Sequence, residues 1–272
     1  SPKNNELKDN EKSIKIINPM GAELSELRNS LIPGCLELIK FNSNRQIKNI
    51  KIFEFGKIYK RNKDNFTESK LLSIALTGNI HEENWNLKEQ PDIFFYYKGI
   101  IETMLTNKIK YWEEKFIKNE TFQEGLEFNI DGEKIFEFGF LNKNLLDIFS
   151  IKQNLIYGQL YIDTVSKYLI DKVIFKSIPK FPIVRRDFSL LLNQDINFKH
   201  IETLAQLTEK NILKKVKLFD VYIGEKLPDN KKSYGVSFYF QDQNKTLTDH
   251  HVDKVMEKIR IKLSNEIGAE IR

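Results

Sequence analysis

Ser189, Asp220, Tyr222 and Ser233 are the side chains whose types and placement suit a definite chemistry, the reading of a flat, polar, stackable ligand. Each alternates with large apolar neighbours in a segment patterned as a β-strand, so all four are expected on one sheet face. In "RDFSLLL" the set Phe188, Leu190, Leu192 opposes Asp187, Ser189 and Leu191. In "LFDVYI" the set Phe219, Val221, Ile223 opposes Asp220 and Tyr222, and in "SYGVSFYF" the set Tyr234, Val236, Phe238, Phe240 opposes Ser233, Gly235, Ser237 and Tyr239. The apolar sets are predicted to lie under helices. The opposite face offers carboxylate and hydroxyl groups for base edges, tyrosine rings for stacking and small residues that leave room, the means by which single-stranded RNA is recognised. Arg185, Arg186, Lys231 and Lys232 stand nearby as candidate phosphate contacts and equally as solvated charges. An antiparallel sheet often has one polar, solvated face that binds nothing. The alternation alone leaves both readings open.

The elements that must hold these residues follow in the order strand (186–192), helix (198–208), strands (213–223 and 233–241) and helix (248–264), with a short "AEIR" tail. This is βαββα with room for a last strand in 269–272, the split pattern of ferredoxin-like folds. Thr248 suits the cap of the last helix, Asp249 its first turn and Gly268 its end, and Val252, Val255, Met256, Ile259 and Leu263 form its apolar stripe. Upstream, Pro33 opens a helical pattern to about Asn44, followed by strands at 50–61 and 71–78. A helix over 91–106 places Phe94, Tyr97, Ile101, Met104 and Leu105 on one stripe, with Pro91 suited to its first turn. Strands at 111–117, 134–141 and 155–162 and short helices near 142–149 and 163–171 complete an α+β region. The prolines of "FKSIPKFPIVRR" read as a linker, so the domains are expected at 1–177 and 178–272.

A chain of 272 residues fits two domains. Charged residues make up 30%, and Lys plus Arg exceed Asp plus Glu by only five, which permits an RNA partner without demanding one. Residues 181–272 carry a net charge of only about +3, which predicts weak RNA binding in isolation. The single cysteine, Cys35, excludes an internal disulfide and a Cys-based zinc cluster, and its apolar setting reads as a small buried residue. His81, His200, His250 and His251 lie in polar contexts, and no metal-ligand spacing, nucleophile motif or phosphate-cradling glycine loop supports a stand-alone enzyme. No catalytic or metal-binding residue is therefore assigned. No apolar run is long enough for a membrane span and the start is polar, so no membrane partner and a cytoplasmic location are expected. The polar opening before a dense pattern from Ile14 reads as a piece of a longer chain.

"FPIVRRDFSLLL", then "VKLFDVYIGEKLPDNKKSYGVSFYFQDQNKTLTD", then a long helix closing in "GAEIR" resembles the ferredoxin-fold anticodon-binding domain of the bacterial phenylalanyl-tRNA synthetase β chain. "NPMGAELSELRNSLIPGCLELIKFNSNRQIKNIKIFEFGKIY" and "PDIFFYYKGIIETML" resemble the catalytic-like module of the same chain, so the likeness covers nearly the whole sequence. It implies an α+β fold: a class II synthetase-like antiparallel sheet domain, then a ferredoxin-like βαββαβ domain. It also implies the C-terminal part of a β chain, without the editing region, the further tRNA-binding module and the magnesium-associated segment. The family joins phenylalanine to its tRNA with ATP and Mg²⁺ in an α2β2 assembly whose chemistry lies on the α chain. This part is then expected to bind tRNA(Phe) at the anticodon and to associate with the α chain, with no cofactor of its own. Carried over position by position, the anticodon contacts fall on Ser189, Asp220 and Ser233, with Tyr222 as a stacking neighbour. "FEFGKIYKRN" takes the place of the strand that carries an ATP-contacting arginine in catalytic relatives, and Lys60 and Arg61 sit near it. "FEFGFLNKN" has one glycine and no arginine, so the second cationic clamp for adenylate formation is missing. Lys60 and Arg61 then read as a solvated hairpin pair. "TLTDHH" departs from the family, which more often has acidic residues after the cap. A generic single-stranded RNA-binding module is the alternative, although its Lys/Arg-Gly-Phe signature is absent after residue 178.

Overall fold

The computed structural model describes residues 14–271 except 22–24, 63–64, 83, 87–89, 91, 107 and 171–176. The chain divides into two compact units, Ser1–Val173 and Ile174–Arg272. Pro91 and the first two residues of the linker, Phe175 and Lys176, lie outside the described residues.

In the first unit a short ladder, β1 (Ile14–Lys15) with β2 (Glu26–Leu27), precedes α1 (Ile32–Ser43). A six-stranded antiparallel sheet follows, built from β3 (Ile50–Asn62), β4 (Asn65–Thr77), β5 (Glu113–Ile117), β6 (Phe122–Ile130), β7 (Glu133–Leu141) and β8 (Leu155–Tyr161) in the order β3-β4-β8-β7-β6-β5. Helix α2 (Ile93–Leu105) lies between β4 and β5 in sequence, α3 (Lys143–Ile148) precedes β8 and α4 (Ile162–Ser166) follows it. The sheet is covered on both sides. Tyr97, Ile101 and Leu105 of α2 pack with Leu76, Phe128, Phe136 and Phe138 on one face. Cys35, Leu36 and Ile39 of α1 pack with Ala75, Leu141, Leu155 and Tyr157 on the other. Burial, reinforced by nearby Glu54, pushes the Cys35 thiol up to about 12, so it packs as a small apolar residue.

Three expectations need correction here. Strand β6 forms where the sequence pattern sets no strand, although the two-residue Asp131-Gly132 turn, both with positive φ, is a strong hairpin signal. Met104 is half-exposed and drops out of the α2 stripe, because that helix buries only the narrower seam of Tyr97, Ile101 and Leu105. The described cap of α2 is Asp92, whose carboxylate accepts from the amides of Phe94 (2.8 Å) and Phe95 (3.2 Å).

The second unit runs β9 (Val184–Asn193), α5 (Phe198–Thr208), β10 (Leu213–Tyr222), β11 (Lys231–Phe240), α6 (Asp249–Ile267), β12 (Glu270–Ile271), with sheet order β10-β11-β9-β12, antiparallel throughout. This is the ferredoxin-like βαββαβ arrangement, and Glu270–Ile271 supply the last strand. Both helices pack on one side. Ile201 and Ala205 of α5 and the whole expected stripe of α6 meet Leu190, Leu192, Val216, Val236, Phe238 and Phe240. Gly268 ends α6 in the left-handed region, at φ 61°. Thr248 stands at the N-cap position but its side chain makes no capping bond.

The expected apolar set of β10 is displaced. A bulge between Leu218 and Asp220 shifts the ladder, so Leu218 stands opposite Val236 and Asp220 opposite Gly235. Phe219, 49% exposed, is thereby turned out of the core, whereas Val221, opposite Tyr234 on the helix side, and Ile223, just past the strand, are exposed at the far end. The strand buries Leu213, Val216 and Leu218 instead.

Candidate nucleic-acid interface

With α5 and α6 on one side, the other face of the β10-β11-β9 sheet is left uncovered by the helices of its own unit. Directly paired residues share a face, so the register lays this surface out in rows. Tyr222, Ser233 and Leu191 form the first row, continued by Glu270 on β12, and Asp220, Gly235 and Ser189 form the second. Lys217, Ser237 and Asp187 make the third, and Lys215, Tyr239 and Arg185 the fourth.

The four candidate residues thus occupy two adjacent rows. The Ser189 and Ser233 hydroxyls lie 3.5 Å apart across β9 and β11. Asp220 and Tyr222 are exposed at the edge strand, the Tyr222 hydroxyl folded towards Gly224. A carboxylate, two hydroxyls and a phenol ring converge there around Gly235, which has no side chain to fill the space. Acceptors for amino groups and a ring for stacking are what the edges and face of an unpaired base require.

The cations separate by strand parity. Arg185 and Lys231 point to the open face, whereas Arg186 and Lys232 point to the helix side, because neighbours in a strand face opposite ways. Arg186 pairs with Asp249 and with Asp253 (3.2 Å) at the start of α6, and those hydrogen bonds hold its guanidinium well in the charged form. Lys232 is only 6% exposed, donates to the Gln194 carbonyl at 2.8 Å and lies 4.6 Å from the Tyr234 ring centre. Neither is placed to meet a ligand on the open face, which corrects their candidacy as phosphate contacts. Lys231 approaches Glu270 at 3.5 Å. Arg185 forms a two-pronged pair with Asp187, both contacts 2.8 Å, and this pair, helped by the Ser237 hydroxyl, holds the Asp187 carboxyl below the usual carboxylate range.

Sequence reasoning missed one open-face aromatic. The bulge turns Phe219 over Gly235, where an added Cβ would lie 2.8 Å from two of its ring carbons. Arg185 sits 5.4 Å from the Phe219 ring centre and 5.9 Å from that of Tyr239.

The first unit has its own polar row, crossing five strands through Glu54, Ser73, Gln159, Glu137 and Glu127. Its members satisfy one another. Glu137 accepts from Gln159 and Tyr161, both at 2.6 Å, and pairs with Lys134 at 2.7 Å, which also reaches Glu127 at 2.7 Å. Arg28 holds Glu54 at 2.6 Å. Lys60 and Arg61 are exposed near the end of the β3–β4 hairpin, with Arg61 6.0 Å from the Phe66 ring centre. An apolar groove of about 370 Å³ opens between β3 and α2, lined by Phe53, Phe55, Leu72, Ile74, Ile100 and Met104. All four histidines are exposed, and among the described residues no group of three or more His, Cys, Asp or Glu could hold a metal.

Comparison with known proteins bears on both units. The model of the phenylalanyl tRNA synthetase beta chain CLM domain matches residues 1–162, and that of the ferredoxin-fold anticodon binding domain matches residues 179–272. The phenylalanine–tRNA ligase beta subunit of Bacteroides fragilis is 33% identical over 273 residues, covering 95% of this chain and 33% of that protein. The same subunit of Porphyromonas gingivalis is 32% identical over 96% of this chain and 34% of its own length. That of Clostridium tetani is 32% identical over 100% of this chain and 33% of its own length. The chain spans about a third of the length of the curated relatives it matches.

Proposed function

Because the chain belongs to the phenylalanyl-tRNA synthetase β-chain family, we propose that it is part of such a β chain and contributes anticodon binding to the ATP-dependent attachment of phenylalanine to tRNA(Phe). The observation that carries this reading is the convergence of Ser189, Asp220, Tyr222 and Ser233 on the uncovered face of a sheet whose unit matches the anticodon-binding family. Base stacking on Tyr222 supplies affinity, and hydrogen bonds from base edges to Asp220 and the two serines supply discrimination.

In this reading the chain is not catalytic by itself. Strand β7, where a catalytic relative would need its phosphate clamp, commits Phe136 and Phe138 to the core and Glu137 to an internal network. In the same reading the family's ATP and Mg²⁺ serve chemistry on the α chain of an α2β2 assembly. The apolar groove beside Phe53 and Phe55 is the surface assigned to α-chain association. A cytoplasmic location follows from the same role, and no described helix is long and apolar enough to cross a membrane.

The test is a fluorescence anisotropy titration of the whole chain with two labelled stem-loops, one carrying the phenylalanine anticodon and one a scrambled loop. The cognate loop is expected to bind more tightly, and Tyr222→Ala to cost about tenfold in affinity. Equal affinities for both loops, falling with salt alike, would mean charge attraction only and would sink the anticodon reading. Co-expression with the matching α chain tests the groove: Phe53→Asp is expected to abolish co-purification, and retention of that variant would remove the groove from the interface.

A further inference from the structure

The open face extends beyond the four residues above, and its far end differs in character. Lys215 and Lys217 make that end basic, the charge of Arg185 there being offset by Asp187, whereas Asp220 and Glu270 lie at the other. Lys215 and Lys217 are exposed on the edge strand β10 and make no ion pair with another described residue. Between them and Asp220 lies the bulge that brings a half-exposed phenyl ring onto a face where alternation had placed none. Resting on the anticodon reading, we propose that Phe219, Arg185 and Tyr239 form a second stacking subsite, which takes the nucleotide adjoining the one held at Asp220 and Tyr222, and that Lys215 and Lys217 carry its phosphates.

Each part has a physical ground. Gly235 leaves the space that lets the Phe219 ring lie down on the sheet. Asp187 grips the edge of the Arg185 guanidinium in two places, which orients its plane and offsets its charge beside the Phe219 and Tyr239 rings. A neutralised, oriented guanidinium between two aromatic rings favours a stacked base over a phosphate. The phosphates are drawn instead to the lysines, whose charges are unopposed at the rim. Ser233 and Tyr239 are six residues apart on β11, about 20 Å of strand, so the face is long enough for several nucleotides in a row.

The experiment measures affinity of the whole chain for the cognate stem-loop as a function of salt, for the parent, Phe219→Leu, Arg185→Lys, Lys215→Gln with Lys217→Gln, and Asp220→Asn. Phe219→Leu keeps the apolar bulk but loses the ring face and is expected to weaken binding roughly tenfold. Arg185→Lys keeps the charge but loses the plane and should also weaken it. The double lysine variant should lower the slope of log K against log salt by about 0.7 per lysine and leave discrimination between cognate and scrambled loops unchanged. If Asp220→Asn weakens binding while Phe219→Leu and Arg185→Lys bind as the parent does, the second subsite is overturned and the anticodon reading stands. If the chain binds neither loop, or Asp220→Asn binds both as the parent does, the reading itself fails and the subsite with it. Thermal melts of every variant separate these outcomes from misfolding.

Discussion

Both units build an antiparallel sheet with polar side chains lined up across it, yet the two rows have opposite fates. In the first unit Glu137 is 7% exposed and its row closes on itself through Gln159, Tyr161, Lys134 and Glu127. In the second, Asp220 and Tyr222 face solvent, with only the long 3.5 Å approach of Ser189 to Ser233 between neighbours in the candidate group. A polar row on a sheet therefore points to a ligand only where its members do not already satisfy one another. Buried carboxylates without partners are costly, so the first sheet has to complete its network internally. The second can leave its groups to water until a ligand replaces it.

The largest expected effect breaks this contrast at its strong end. Glu137→Ala removes the acceptor shared by Gln159, Tyr161 and Lys134, and urea unfolding should show a loss of about 3 kcal/mol. Asp220→Ala should stay within about 0.5 kcal/mol of the parent in the same assay. Similar losses for both would mean that the open face is as structural as the buried row. A smaller effect is expected at Gly235, where a methyl would meet the Phe219 ring at 2.8 Å. The ring can swing aside, so Gly235→Ala should keep its unfolding midpoint but lose about threefold in affinity for the cognate stem-loop. An unchanged affinity would indicate that the ring position does not matter. The smallest effect concerns pH. The folded pKa of Asp187 is depressed, chiefly by Arg185, so its contribution is present above the ordinary carboxylate value and is lost as pH falls through the depressed one. Asp187→Asn should be slightly less stable than the parent at neutral pH, and the two should converge below about pH 4. A gap that persists on acidification would assign the effect to something other than the ion pair.

Much of the second unit was legible because its signals are local and mutually consistent. The α6 stripe, with apolar residues at every third or fourth place, leaves one way to bury that helix. The alternation in β9 and β11 likewise separates Leu190 and Val236 from Ser189 and Gly235. In the first unit β6 is hard to read from sequence because Gly125 and three glutamate or asparagine side chains dilute its pattern, although Asp131-Gly132 marks the hairpin. The adjacent candidates Arg185 and Arg186, and Lys231 and Lys232, could have been halved from sequence, since strand parity allows only one of each pair on the open face.

By itself the sequence determined the two-unit α+β organisation, the βαββαβ order and the face shared by Ser189, Asp220, Tyr222 and Ser233, because helix and strand periodicities depend on neighbours along the chain. Only the tertiary structure decided that Phe219 joins that face, that Arg186 turns to the acidic start of α6 and that Lys232 is buried against Tyr234 and Gln194. The bulge exists only in the pairing of β10 with β11, where one strand carries a residue for which the other has no partner. A side chain's partner across the sheet or under a helix is set by that pairing, which no local pattern of residues encodes.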